Sequence, residues 1–70
     1  MQKLTQRERQ IASLVTTGIK NRLIAEKLQI SEQTVKNHLR SVFAKARVQN
    51  RLQLSLWMLR SKELSPVERG

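Results

Sequence analysis

Between residues 30 and 46 the chain reads ISEQTVKNHLRSVFAKA, and Val35, Leu39, Val42, Phe43 and Ala46 converge on one face when each residue turns by roughly 100°. Such periodicity makes a helix with an apolar stripe, and the stripe must be covered by other elements. No other segment alternates as a half-buried strand would, so the cover has to be helical. Seventy residues leave room for one small domain, of a size that buries only about 60% of its unfolded surface and gains from assembly. The expected fold class is all-α, with four helices around one core.

The other three helices are legible from their boundaries. In LTQRERQIASLVTTG, Thr5 followed by Glu8 is a capping box: the hydroxyl accepts from the Glu8 backbone and the carboxylate reaches back to the Thr5 amide. Ile11, Leu14 and Val15 follow at helical spacing, and Gly18 supplies a left-handed residue to end the helix, giving 6–17. In the second segment, 21–28, Asn21 is the expected cap, Ile24 and Leu28 share the buried face, and Ala25 lets another helix come close. Ser31 caps the third helix, 32–46, with Glu32 at its positive end. ARVQN then breaks the pattern, Asn50 can cap again, and a fourth helix is expected over 51–62. The domain is therefore set at 1–64, and 65–70, with Pro66 and no apolar periodicity, is expected to be a disordered tail.

Charge narrows the function. Fourteen lysines and arginines face five acids, all glutamates, for a net charge of +9. No acid lies between Glu32 and Glu63, an interval that holds Lys36, Arg40, Lys45, Arg47, Arg51, Arg60 and Lys62. A field of one sign draws polyanions. The absence of cysteine removes disulfides, thiol nucleophiles and zinc-binding thiolates. One histidine and no aspartate leave no triad, metal cluster or useful carboxylate pair, so no enzyme, cofactor or metal site is expected. No apolar run approaches the ~20 residues of a membrane span. No signal peptide is evident either, and a cytoplasmic protein is expected.

On the third helix Asn37 points away from the apolar stripe, with Gln33, Lys36 and Arg40 to one side and Thr34, His38 and Lys45 to the other. A lone exposed lysine or mid-helix asparagine is ordinarily just solvated. Together these side chains suit a DNA major groove, where Arg and Lys donate to guanine and Asn bonds adenine, while Thr, Lys and His suit phosphate oxygens. A short helix, a tight turn and a longer helix with a polar outward half form a helix-turn-helix.

The motifs also carry a resemblance. Leu4, Thr5, Arg7 and Glu8, then Gly18, Asn21, Ile24 and Ala25, then Leu28, Ile30, Ser31, Thr34, Val35, Lys36 and His38, and finally Lys45, Val48, Asn50 and Arg51 resemble, in order and spacing, the LuxR-type (LuxR/FixJ/GerE) DNA-binding domain of bacterial transcription regulators. The resemblance spans about residues 4–60 and implies sequence-specific binding of double-stranded DNA through a major-groove recognition helix. It implies Lys36, Asn37 and Arg40 as base or groove contacts and Thr34, His38 and Lys45 as backbone contacts. It further implies a homodimer on an inverted repeat, and RNA polymerase as a partner in transcription. Two residues depart from the pattern: Lys20 stands where a capping Ser or Thr is usual, and Ala46 replaces a leucine. Without an aspartate the chain has no receiver-type phosphoacceptor, and it is expected to be either an excised response-regulator output domain or a short stand-alone regulator.

The fourth helix has more apolar residues than one stripe can use. Leu52, Leu56 and Leu59 share one face and Leu54, Trp57 and Met58 another, and the wheel alone leaves open which faces out. The family packs the Leu54 position inward, which favours Leu52, Leu56 and Leu59 as the dimer seam. The rival to DNA binding is a protein-interaction module on the same fold. A protein adaptor would not need the third helix to be so basic.

Overall fold

The computed structural model describes residues 3–61. Four helices follow one another: α1 (Gln6–Thr16), α2 (Asn21–Leu28), α3 (Glu32–Ala46) and α4 (Arg51–Ser61). No strand occurs among the described residues. The expected bounds hold to within a residue at each end, although residue 62 and the tail 65–70 lie outside the described residues.

Three of the starts are built as the sequence suggests. The Thr5 hydroxyl accepts from the Glu8 amide at 3.1 Å and the Glu8 carboxylate accepts from the Thr5 amide at 2.8 Å, completing the capping box. Ser31 Oγ accepts from the Thr34 amide at 3.0 Å, and Asn50 Oδ1 from the Gln53 amide at 2.8 Å. The start of α2 differs. Lys20 occupies the cap and makes no side-chain capping bond, while Asn21, expected to cap, is the first helical residue. Its side-chain oxygen is taken by Arg51 instead.

The helix ends carry information the sequence did not display. Gly18 has φ 88°, as expected, but α2 and α3 stop on non-glycine residues in the left-handed region, Gln29 and Arg47, both at φ 58°. Each stop has the same bond pattern: the Ile30 amide reaches back to the Ala25 carbonyl at 3.0 Å, and the Val48 amide to the Phe43 carbonyl at 3.1 Å. Ile30 and Val48 then pack against the core, and their burial offsets the backbone cost of about 1–2 kcal/mol at each left-handed residue.

The core joins Leu4, Ile11, Ala12, Val15, Ile24, Ala25, Val35, Leu39, Val42, Leu54 and Met58, all buried. α1 lies at the centre of the arrangement and packs on α3 and on α4, while α2 packs chiefly on α3. Ala46 is buried but does not join this cluster, in keeping with its small size at a leucine position. On α4, Leu54 and Met58 are fully buried and Trp57 packs half-buried beside them. The opposite stripe faces out: Leu52, Leu56 and Leu59 are 69%, 50% and 70% exposed.

Candidate nucleic-acid interface

α2, the turn at Gln29–Ser31 and α3 form the helix-turn-helix, and the outward surface of α3 is the candidate interface. Lys36, Asn37 and Arg40 are all exposed on it. Gln33 donates to Asn37 Oδ1 at 3.1 Å, one turn away, which steadies the asparagine in its outward position. Thr34 and His38 are half-buried, on the flank of α3 that also carries Ser41 and Lys45. The Thr34 hydroxyl also pairs with the Ser31 hydroxyl at 2.8 Å, so it belongs to the helix cap as well as to the surface.

Lys45 sits differently from the other expected contacts. Its ammonium lies 2.8 Å from Glu8 Oε1, with the lysine side chain 21% exposed and the glutamate side chain 6%. Expected to touch the DNA backbone, Lys45 here is the counter-ion of a buried carboxylate, and a phosphate would have to compete with that carboxylate for it. Ser41 donates to the other oxygen of Glu8 at 2.7 Å. Glu8 thus accepts from the Thr5 amide at the start of α1 and from two side chains of α3. Burial alone would raise the pKa of its carboxyl. The hydrogen bonds from Lys45, the Thr5 amide and Ser41, with the lysine charge, outweigh that and bring it from 4.5 down to about 2.

Sequence reasoning accounted for Glu8 by the capping box alone and missed its tie to α3. A signal was available: Thr34, His38, Ser41 and Lys45 line a single polar flank of α3. A flank of that kind needs a partner if α1 is to pack there. A second missed feature is Arg51. Its guanidinium donates to Asn21 Oδ1 at 2.7 Å and to the Ile19 carbonyl at 2.8 Å. A hollow lined by Asn21, Lys36, Leu39, Arg40, Phe43 and Arg51 opens beside it.

With this geometry in view, the family of bacterial regulatory proteins described as luxR (GerE) matches residues 2–58. The chain belongs to the luxR family. The luxR-type fold is seen directly in a structure described as the transcription factor GerE, which superposes with a TM-score of 0.79 at 38% identity and covers 89% of this chain and 94% of that one. The chain is also similar to the monoamine regulon transcriptional regulator of Klebsiella aerogenes, 51% identical over 57 residues, covering 79% of this chain and 25% of that protein. To the nitrate/nitrite response regulator protein NarL of Escherichia coli (strain K12) it is 38% identical over 55 residues, covering 79% of this chain and 26% of the relative. It therefore spans about a quarter of the length of these curated relatives. The luxR family is one of bacterial regulatory proteins.

Proposed function

We propose that this luxR-type domain binds double-stranded DNA sequence-specifically, with α3 in the major groove, and serves a bacterial transcription regulator in the cytoplasm. The observation that carries the reading is the exposed surface of α3, where Lys36, Asn37 and Arg40 project from the second helix of a helix-turn-helix in a stretch free of acids. Lys36 and Arg40 are assigned to guanine edges or adjacent phosphates, and Asn37 to an adenine edge. Thr34 and His38 flank them as backbone contacts. Lys45 acts behind this surface, through Glu8, rather than on the DNA. No described helix is long and apolar enough to cross a membrane.

The exposed Leu52, Leu56 and Leu59 support assembly of two copies along α4. Such a pair would read an inverted repeat with half-sites about 10 bp apart, one turn of DNA. Three leucines make a seam well short of the ~800 Å² per partner of a stable interface, so assembly is weak in free solution and strengthened on DNA. RNA polymerase is a further partner under this reading.

The test is a gel-shift with genomic fragments, comparing the natural chain with Lys36→Ala/Asn37→Ala/Arg40→Ala. Each base-reading residue lost should cost about 1–3 kcal/mol and relax preference at one base position. Unchanged specific affinity in a folded triple variant would remove α3 as the reader.

A further inference from the structure

The first residue of α4 is a cation, which the positive end of a helix disfavours. Arg51 is held there by two charge-assisted bonds leading away from α4. One goes to Asn21 Oδ1 at 2.7 Å, the other to the Ile19 carbonyl at 2.8 Å. Both acceptors lie at the start of α2, the helix whose cap residue, Lys20, makes no capping bond of its own. Apart from this side chain, α2 and α4 make no close approach among the described residues. The start of the helix-turn-helix is therefore fastened from outside, by a side chain of the helix that bears the exposed leucines.

The neighbours of Arg51 give this fastening a direction. Leu52, the first residue of the exposed stripe, follows it immediately. Lys36 and Arg40 share a hollow with it on the other side. One turn of α4 thus touches the proposed assembly stripe, the start of α2 and the flank of the proposed reading surface.

We propose that Arg51 is a positioning residue for DNA reading: its guanidinium fork fixes α2 to the first turn of α4, so that α3 is presented at a set angle to the assembly helix. The proposal rests on the DNA-binding reading above. A guanidinium fork suits this task because its two donors fix direction as well as distance. A lysine ammonium in the same place keeps the charge and loses the second direction.

The fork can be tested without touching the reading surface. The probes are a duplex enriched by the natural chain from a random-sequence pool and a scrambled duplex of equal length, and the readout is the ratio of the two affinities at low temperature. Folding of each variant is verified by circular dichroism. Arg51→Lys and Asn21→Ala should each lower the ratio about tenfold, the scale of one charge-assisted hydrogen bond. The double variant should fall no further than the worse single one. Asn21→Asp, which keeps an acceptor for the fork, should retain the ratio even though its charge repels DNA. Equal losses on both duplexes, or Asn21→Asp being the worst variant, would make Arg51 and Asn21 phosphate contacts and overturn the proposal. A ratio unaltered in all variants would reduce the fork to a stabilising contact and overturn it too. If the natural chain enriches no duplex at all, the DNA-binding reading itself fails, a result distinct from either of these.

Discussion

Replacing Glu8 by glutamine should separate the charge of the buried carboxylate from its shape. The substituted side chain can still accept from the Thr5 amide through its single oxygen, as glutamine does in capping boxes, while its amide nitrogen, in place of the second carboxylate oxygen, donates to the Ser41 hydroxyl instead of accepting from it. What it loses is the ionised partner of Lys45, 2.8 Å away. A carboxyl lowered from 4.5 to about 2 corresponds to roughly 3 kcal/mol of folding free energy at neutral pH, at about 1.4 kcal/mol per pH unit. Because the folded value is the depressed one, that stability is complete above pH 4.5 and is lost as pH falls towards about 2. In a domain this small, whose core rarely supplies more than about 3–5 kcal/mol, the loss is a large share of the total. Urea unfolding between about pH 7 and about pH 2.5 is the assay, since that window covers most of the range over which the stability is lost. Glu8→Gln should lie about 2–3 kcal/mol below the natural chain at neutral pH and show a much flatter acid limb. Lys45→Ala should destabilise comparably or more, since it strands the carboxylate. An acid limb as steep in Glu8→Gln as in the natural chain would refute the assignment.

The surface offers two more tests. Leu52→Glu puts a charge into the exposed α4 stripe and should leave urea stability within about 0.5 kcal/mol while abolishing cooperative binding to an inverted repeat; sedimentation with and without DNA checks this, and unaltered assembly would remove the stripe as the seam. Gln29→Gly relieves a left-handed residue and should stabilise the domain by about 0.5–1 kcal/mol after the added chain entropy is subtracted, raising Tm by a few degrees; a fall in Tm would mean that the glutamine side chain contributes something the backbone geometry does not reveal.

The elements and their caps could be read from the sequence because each depends on residues within four positions of one another. Thr5 with Glu8, Ser31 with Thr34 and Asn50 with Gln53 are all local pairs. The stripe of Leu52, Leu56 and Leu59 was likewise visible, but its outward orientation depended on where α1 packs, which the wheel does not contain. The ties that cross the fold were not legible. Glu8 meets Ser41 and Lys45 across α1 and α3, and Arg51 meets Asn21 from the far end of the chain. Hence Asn21 passed for a cap, and the tie of Lys45 to Glu8 went unread. Asn21 was given its nearest plausible task, when a distant charged group, Arg51, had the stronger claim.

The left-handed stops at Gln29 and Arg47 bear on whether this reading unit can be moved to another protein. Both turns adopt a conformation their own residues disfavour, and both are followed by a residue, Ile30 or Val48, that packs on the core. The turn between α2 and α3 thus leans on the core beneath Ile30, and a peptide of residues 21–46 taken alone keeps the bond from the Ile30 amide to the Ala25 carbonyl but loses the part of that core supplied by α1 and α4. A graft into a new scaffold would have to supply an apolar seat for Ile30, or place glycine at position 29, before the side chains of α3 could be aimed at a groove.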